Sequence, residues 1–373
     1  MTTTSLRVEG TKLELLPART KKQESPDWVR ISMASALALR YRSGRFTRDF
    51  DFGGINLLLN YSSGCRSDCS YCGLARTRPG MYEDKSFIRV EWPLVELNDL
   101  INRMAEHHGT LTRLCISMVT HGRAYADTAE IIRRIRTKVD APLSILVAPP
   151  TLSRERLTTF KDFGADMIGI GLDAVTEDLF RRHRSNVPSG GGLSWDQYWE
   201  IVAIAREIYG PWKVNCHTLV GLGETDKEAI GMFIRLCDQE IYPYLFCFNP
   251  EEDSRMGEQP KSPIRRWRRI QLAKHLVEFN SYRWDKFTFD DQGALTGIVE
   301  PSNADQVVAA AVASGTPFET DGCPSDDGGP GCTRPYGSYG PAESFRDFPF
   351  APTSGDLATI TQEMALDEIL TNR

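Results

Sequence analysis

The sequence predicts an α/β protein whose centre is a partial (β/α)6, TIM-like barrel. Short apolar runs rich in β-branched residues alternate with amphipathic helical stretches through the middle of the chain, which is typical of βαβ units and a parallel sheet. Six strand–helix pairs fit into about 200 residues, a length that suits six units of such a barrel. With 41% apolar and 25% charged residues, the 373-residue chain has the composition of an ordinary globular protein. A doubly wound open sheet is the competing architecture.

The elements follow one another along the chain. An apolar stripe predicts a helix over 28–41 that caps the body. We predict six barrel strands, at 55–61, 113–119, 143–147, 167–172, 213–220 and 244–249. The helices between them are predicted at 95–107, 127–138, 153–163, 176–183, 194–209 and 226–239. Later elements are a basic helix at 265–280, a small-residue helix at 304–314, a Gly/Pro-rich segment at 316–353 and an acidic helix at 358–370. The chain thus divides into an N-terminal extension (1–50), the barrel (51–250) and a C-terminal region (251–373).

Charge and hydropathy exclude several classes of partner. The chain has 44 Lys and Arg against 50 Asp and Glu, a net charge of −6, which does not favour nucleic acid. No run approaches the ~18 consecutive apolar residues of a membrane-spanning helix, so no membrane partner is expected. The first residues, MTTTSLRVEG, lack the apolar core of a secretion signal. We therefore expect a cytoplasmic protein.

Cysteine usage points to metal or redox chemistry. Three of the nine cysteines, Cys65, Cys69 and Cys72, lie within eight residues in C-x3-C-x2-C spacing, directly after the first predicted barrel strand. An odd number of cysteines and the lack of an export signal argue against a disulfide framework. Three thiolates on one loop can bind three corners of a cubane iron–sulfur cluster and leave the fourth iron open, as a catalytic metal needs. The alternative is a zinc site whose fourth ligand comes from elsewhere.

This loop, with the aromatic Tyr71 before its last cysteine, resembles that of the radical S-adenosylmethionine (radical SAM) superfamily. The resemblance covers roughly residues 50–250 and implies a [4Fe-4S] cluster whose open iron binds SAM. It also implies an electron donor such as ferredoxin or flavodoxin, and cleavage of SAM to a 5′-deoxyadenosyl radical that abstracts hydrogen from a substrate. The cofactor then carries the difficult chemistry and the protein supplies binding and positioning.

The same resemblance implies which residues contact SAM. Gly221 and Glu224, at the end of the fifth strand, match the strand end that contacts adenosine in the family. Asp173 and Arg184 stand at and after the fourth strand, where relatives place further SAM contacts, and Tyr71 joins them. For Gly221 and Glu224 the alternative is a tight turn with Glu224 at a helix start, where its charge suits the helix dipole. For Asp173 and Arg184 the alternative is a surface ion pair. Where many members have Gly-Gly-Glu after the second strand, this chain has the sequence THGR at 120–123.

The C-terminal region carries a second motif. Cys323 and Cys332 stand among glycines, prolines and an Arg-Pro-Tyr sequence, and glycine and proline let a backbone hold thiolates without regular structure. The motif is similar to the GCPxCxRPYY-type signature of the two-protein lipoyl synthases, with further similarity at 193–200 and 215–226. Here an insert at 325–330 opens the spacing to C-x8-C. The resemblance implies a second, auxiliary [4Fe-4S] cluster; a surface disulfide or a zinc clip is the alternative.

The candidates for further ligands of a second cluster are the remaining cysteines and His217, for which a hydrogen-bonding role is the simpler interpretation. We rank Cys247 first and Cys216 second. Cys216 alternates with Asn215 and His217 along a strand, so either Cys216 or those two face the barrel interior. Cys115, within a strand, and Cys237, on a helix, have a simpler interpretation as small apolar core residues.

These motifs predict a sulfurtransferase similar to lipoyl synthase, which inserts sulfur from the auxiliary cluster into a small-molecule or carrier-protein-bound substrate. No catalytic side chain is assigned. One alternative is sulfur insertion into a specialised metabolite such as a sugar or nucleoside, and another is a dehydrogenase or epimerase that passes electrons to the second cluster. A non-catalytic iron–sulfur or zinc protein is the alternative from a different class.

Two further patterns have competing interpretations. Four arginines around Trp267 could bind an acidic partner or a phosphate, or they could form a solvated helix face. Trp195, Tyr198 and Trp199 recur at near-helical spacing and are expected to be core packing.

Overall fold

The computed structural model describes residues 6–8, 11–13, 22–87, 90–185, 192–300 and 306–372. Its strands are β1 (Leu6–Val8), β2 (Thr11–Leu13), β3 (Trp28–Ile31), β4 (Gly54–Leu59), β5 (Leu94–Glu96), β6 (Arg113–Ser117), β7 (Leu143–Val147), β8 (Met167–Asp173), β9 (Val214–Val220), β10 (Tyr242–Cys247), β11 (Phe287–Phe289), β12 (Leu295–Glu300) and β13 (Leu370–Asn372). Its α-helices are α1 (Met33–Ala38), α2 (Leu97–Glu106), α3 (Ala124–Ile135), α4 (Arg154–Asp162), α5 (Glu177–Phe180), α6 (Trp195–Tyr209), α7 (Asp226–Cys237), α8 (Ile264–Phe279), α9 (Val307–Ser314) and α10 (Ser354–Met364).

The central sheet is a partial barrel. Six strands, in the order β4-β6-β7-β8-β9-β10, are parallel, and a crossover with a helix joins each to the next. Strand β4 is buried along its whole length, as expected for a parallel strand covered on both faces. All six predicted strands and the helices between them are present, so the predicted (β/α)6 barrel is confirmed.

The predicted helix over 28–41 is partly wrong. Trp28–Ile31 is strand β3, which pairs antiparallel with β4 on one side and with β5 on the other, and extends the sheet to eight strands. Only Met33–Ala38 is helical, and Ser32 caps it through Ser35 N. Arg30 is buried and donates to the carbonyl oxygens of Trp92 and Lys85. These long-range partners stabilise the strand, and an apolar stripe in the local sequence does not reveal them.

The C-terminal region forms a second apolar core against α7 and β10. Helix α8 packs on α7 and α10, and a small sheet of β11, β12 and β13 completes this part. The last helix begins and ends earlier than the predicted 358–370, because Thr353 caps it at its start. Within the described residues, no helix is both long and apolar enough to cross a membrane.

The arginines of α8 are paired inside the chain. Arg265 and Arg269 bind Glu368. Arg268 binds Glu363 at 2.7 Å, and Arg266 lies 2.7 to 2.9 Å from two acidic side chains near the start of α7. The interpretation as a site for an acidic partner is therefore corrected, because all four arginines have acidic partners within the chain. The interpretation as a solvated face holds only in part, since Arg265 is 54% exposed whereas Arg268 is 2% exposed.

The pairing of Arg48 with Asp356 links the N-terminal extension to α10. The guanidinium contacts both carboxylate oxygens at 2.6 and 2.8 Å and lowers the pKa of Asp356 below its ordinary 3.8. A lowered carboxyl pKa contributes stability above the ordinary pKa that is lost as the pH falls. We expect Asp356→Asn to reduce the free energy of unfolding by about 1 kcal/mol at pH 7 and by clearly less at pH 2, which is well below the ordinary carboxyl pKa.

Urea denaturation of the variant and the parent at both pH values measures this difference. The exposed Asp367 offers the matched control, and Asp367→Asn should change little at either pH. An Asp356→Asn loss of equal size at pH 2 and pH 7 would contradict the electrostatic origin.

Candidate active site

A cavity of about 220 Å³ opens at the carboxyl ends of the barrel strands. The loop after β4 brings Cys65, Cys69 and Cys72 to its wall, where the carboxyl ends of parallel strands gather functional groups. Other lining residues come from the ends of the later strands and the segments after them: Thr120, Ala148, Asp173, Arg184, Asn249 and Glu251. The three cysteines predicted to bind a cluster therefore face one common space.

Hydrogen bonds to neighbouring loops hold the cysteine loop. Arg66 N donates to Thr120 O at 2.8 Å, and Ser67 Oγ donates to Thr120 Oγ1 at 2.8 Å. Ser70 bonds to His183 twice, through its backbone N and through Oγ, both at 2.8 Å. These four bonds join the loop to the segments after β6 and β8. The fold therefore sets the positions of the thiols.

The thiols of this loop are expected to keep their protons until a metal binds. Burial raises the pKa of Cys69 and of Cys72, and the neighbouring thiols raise both further. A metal displaces such protons when it binds. Within the residues that the structure describes, no three His, Cys, Asp or Glu side chains are close enough to share one metal ion. In a cubane each thiolate binds a different iron, so three thiols along one cavity wall are a suitable donor set.

Tyr71, Asp173 and Arg184 form one buried group beside the thiols. The Tyr71 hydroxyl donates to Asp173, and Arg184 Nη1 lies 3.2 Å from Asp173 Oδ2. Asp173 has a φ of 62°, at a bulge that ends β8, and such strained backbone concentrates at functional sites. Arg184 follows in a π-helical turn over Arg181–Ser185. The structure brings these three predicted residues together, and the pair is not at the surface.

The sequence analysis did not assign two of the cavity residues, Tyr198 and Asn249, to the site. Tyr198 is more than core packing, because its hydroxyl lies 3.2 Å from Arg184 Nη2. Asn249 lines the cavity after β10, and neither its amide nitrogen nor its amide oxygen has a partner within the described residues. A buried amide without partners is a group that a polar ligand such as SAM would satisfy. The signal was available, since Asn249 is the last residue of the predicted barrel strand 244–249.

Gly221 and Glu224 take part in a turn. The Glu224 carboxylate accepts from Gly221 N at 2.8 Å and Leu222 N at 2.9 Å, and Arg266 lies 2.9 Å away. Gly221 has a φ of 119°, and a Cβ there would stand 2.9 Å from Phe248. Neither residue lines the cavity. The turn by itself explains why a glycine and a glutamate stand at these positions. Their contact with SAM stays a prediction.

A second cavity of about 100 Å³ lies deeper in the barrel, and it is mainly apolar. Residues of β4, β6, β7, β9 and β10 and the segment after Cys332 line it. Six residues line both cavities: Phe87, Ser117, Leu146, His217, Phe246 and Gly337. The two spaces therefore share their walls.

The segment with Cys323 and Cys332 closes the amino end of the barrel. Thr112 Oγ1 donates to Gly331 O at 2.6 Å, next to the first residue of β6. Cys332 N donates to Cys323 O at 2.9 Å, so the insert between the two cysteines forms a loop that brings them side by side. A Cβ at Gly322 would stand 1.7 Å from Cys332 O. Only glycine permits this approach.

The remaining cysteines have separate environments. Cys247 lines the first cavity, and its Sγ accepts from Arg346 Nη1 at 3.2 Å. Cys216 is buried, and Arg235 of α7 is the charged group that acts on it, whereas His217 lines both cavities. Cys115 lines the second cavity. All nine cysteines are free thiols.

Removal of the Arg184 guanidinium is expected to destabilise the site. In Arg184→Leu the Asp173 carboxylate stays buried without its cation, which typically costs about 3–5 kcal/mol of unfolding free energy. Urea denaturation of the metal-free protein measures the loss. The matched control is Arg181→Ala, whose ion pairs to Glu177 and Asp178 are exposed and worth under about 1 kcal/mol. Equal losses in the two variants would contradict the assigned role.

A parallel partial barrel with a three-cysteine loop after its first strand defines a class of cluster-binding barrel proteins. Residues 59–236 match the model of the Radical SAM superfamily, so the chain carries a radical SAM domain. Its similar proteins include the biotin synthase of Albidiferax ferrireducens, 24% identical over 225 residues (58% of this chain, 59% of that protein). The biotin synthase of Herminiimonas arsenicoxydans is 26% identical over 223 residues (58% and 61%). The chain thus spans about three fifths of the length of these curated relatives.

Solved structures with a similar fold include methylornithine synthase (PylB), at 12% identity and a TM-score of 0.47, with 91% of this chain and 87% of that chain covered. The hydrogenase maturase HydG from Carboxydothermus hydrogenoformans is 16% identical, with a TM-score of 0.46 and coverage of 90% and 70%.

Proposed function

We propose that this chain is a sulfurtransferase of the radical SAM type, with a second cluster at Cys323 and Cys332 as the sulfur source. The observation that carries the proposal is that two groups of thiols stand at opposite ends of one barrel that contains two adjoining cavities. Cys65, Cys69 and Cys72 stand at the carboxyl end, the C-terminal pair stands at the amino end, and the two cavities share walls. A substrate between them would meet both centres.

When bound, the first cluster and SAM supply a 5′-deoxyadenosyl radical that takes hydrogen from a C–H bond. The chain's own residues position the reactants and exclude water. Asn249 and Tyr198 offer polar groups to SAM, and the C-terminal segment closes the barrel at its other end. Burial holds the pKa of His217 well below its usual value, so a neutral imidazole stands where the cavities meet.

The walls of the second cavity favour an aliphatic substrate over a sugar or nucleoside. Met33, Val90, Trp92, Phe246 and Tyr336 supply mostly apolar surface. Polar lining groups such as Asn56, Ser117 and Arg334 are fewer, so a sugar would leave part of its hydroxyl groups without partners there, at a cost for each. We therefore place a lipoyl synthase-like acyl substrate, small or carrier-bound, ahead of the specialised metabolites. The relatives' name is consistent with sulfur insertion, since biotin contains sulfur.

Two further features belong to this proposal. An external one-electron donor, such as ferredoxin or flavodoxin, would have to reduce the first cluster. Nine free cysteines suit a reducing compartment, which supports the expected cytoplasmic location.

The test is to purify and reconstitute the protein without oxygen and to measure iron and sulfide per chain. We expect about eight irons, and about four in the Cys323→Ala/Cys332→Ala double variant, since each [4Fe-4S] cluster holds four. Reconstitution with isotopically labelled sulfide and incubation with an octanoyl-lysine peptide should then put the label in the product. About four irons in the unmutated protein would overturn the second cluster. A dehydrogenated product without sulfur would favour electron transfer instead, and failure to cleave SAM would favour a non-catalytic protein.

A further inference from the structure

Cys115 occupies an unusual place for a core cysteine. It is the middle residue of β6, and its strand neighbours Leu114 and Ile116 are fully buried, at 0% exposure. Cys115 itself is only half-buried, because its side chain faces the second cavity. A thiol at the centre of a barrel strand that opens onto an internal space is available to a ligand there, whereas a packing residue would be enclosed.

The C-terminal cysteines reach the same level of the barrel. The Cys332 thiol donates to Asn56 Oδ1 at 3.5 Å, and Asn56 on β4 is the direct partner of Cys115 in the parallel register. Paired residues on neighbouring strands stand about 5 Å apart with side chains on the same face. The Cys115 and Cys332 thiols therefore both lie beside Asn56.

Cys323 completes the group from the opposite wall. Its Sγ accepts from Asn215 Nδ2 of β9 at 3.5 Å, and its backbone is joined to Cys332. Both C-terminal thiols are close enough to Cys115 to raise its pKa, together with burial, to about 12. Three thiols from one strand and one loop thus converge on the amino half of the barrel interior.

We propose that Cys115, Cys323 and Cys332 together bind the second cluster. This inference rests on the proposed function and names the ligands of that same centre. Each thiol loses its proton to solvent when its sulfur binds iron. The rigid strand supplies one thiolate and the C-terminal loop supplies two, so the centre links the barrel to the C-terminal region.

The surrounding charges suit three thiolates. Burial raises the pKa of Cys332 to about 11, and the nearby Arg334 and Arg113 oppose that rise. Arg334 stacks on Phe246 with its guanidinium carbon 3.8 Å from the ring centroid. Arg113 is 2% exposed and is held by Asp166 through two contacts of 2.8 Å. Two fixed cations beside a buried anionic centre offset part of the cost of burying its charge.

Cys247, the first-ranked ligand from the sequence, stands elsewhere. It lines the cavity at the carboxyl ends of the strands and is bonded to Arg346. Cys216 on β9 is buried and has Arg235 as its charged neighbour, so it is a matched control of the same residue type on a neighbouring part of the sheet.

The test uses the full chain with Cys65, Cys69 and Cys72 all replaced by alanine, so that the first cluster cannot form. After anaerobic reconstitution, this background should keep about four irons per chain, with visible absorption and a reduced-state electron paramagnetic resonance signal. Adding Cys115→Ala should remove most of that iron. Cys115→Ser keeps the side-chain size and should shift the resonance signal or abolish it. Adding Cys216→Ala should leave the iron content and the signal as in the background.

Far-UV circular dichroism checks that each variant is folded, and the serine variant serves if the alanine variant is not. Iron content and signal unchanged by both Cys115 variants would overturn the inference and leave the proposed function intact. A background that binds no iron would overturn the second cluster itself, and with it this assignment. Iron lost equally on Cys216→Ala would show that the loss follows from damage to the barrel, which also overturns it.

Discussion

Replacing Cys69 by alanine is expected to reduce SAM cleavage more than a hundredfold. Removing a side chain that only supports a metal ligand already lowers metal affinity or activity about 10- to 100-fold. Cys69 stands at the cavity wall, and we propose it as a direct ligand of the first cluster. Cys65→Ala and Cys72→Ala should have the same effect, because each removes one of the three proposed protein ligands. The measurement is 5′-deoxyadenosine formed from SAM by the reconstituted, reduced protein, together with bound iron.

Cys237→Ala is the control for this experiment. Cys237 is a buried cysteine on α7 in the second apolar core and lines neither cavity, so its variant should cleave SAM like the parent. If any of the three loop variants cleaved SAM at the parent rate, the position of the first cluster would be wrong. Equal losses in Cys237→Ala would point to general destabilisation instead.

Cys323→Ala and Cys332→Ala are expected to separate the two halves of the reaction. Each should still cleave SAM, because the first cavity and its three cysteines are built from the other end of the barrel. Each should lose sulfurated product more than a hundredfold, since a ligand of the proposed sulfur source is missing. Mass spectrometry of the product and chromatography of 5′-deoxyadenosine in the same samples give the ratio of the two.

A high ratio of cleavage to product in both C-terminal variants, with a parent-like ratio in Cys216→Ala, is the predicted pattern. Normal product from both variants would remove the sulfur-donating cluster from this region. Loss of SAM cleavage in step with product would show that the C-terminal segment acts on the first site through the fold.

The barrel was predictable because its signals are local. Each parallel strand is a short apolar run, such as the fully buried Gly54–Leu59, and each crossover helix has an apolar stripe, so periodicity identifies both. The three-cysteine loop was predictable for the same reason, since its three ligands lie within one short segment. Strand β3 was not, because its partners β4 and β5 are distant in sequence.

The arginines of α8 show the same limit of sequence-based prediction, here for charged residues. Their spacing indicates a basic helix, and α8 is that helix. Their partners Glu363 and Glu368 lie about a hundred residues later in the chain, so the pairing depends on how the C-terminal region folds back. A pattern of charges along one helix carries no information about that return.

By itself, the sequence determined the barrel, the cysteine loop with Tyr71, and the resemblance to radical SAM proteins, because each depends on residues that are neighbours in the chain. Only the tertiary structure decided which distant residues meet. The fold brings Asp173 together with Arg184 and Tyr71. It directs the Glu224 carboxylate to the backbone of the turn at Gly221. It places Cys115, rather than Cys247, beside the C-terminal thiols. The physical reason is that strand register, and the way the C-terminal region folds back onto the barrel, set which side chains face the same interior space. Local propensity does not set this.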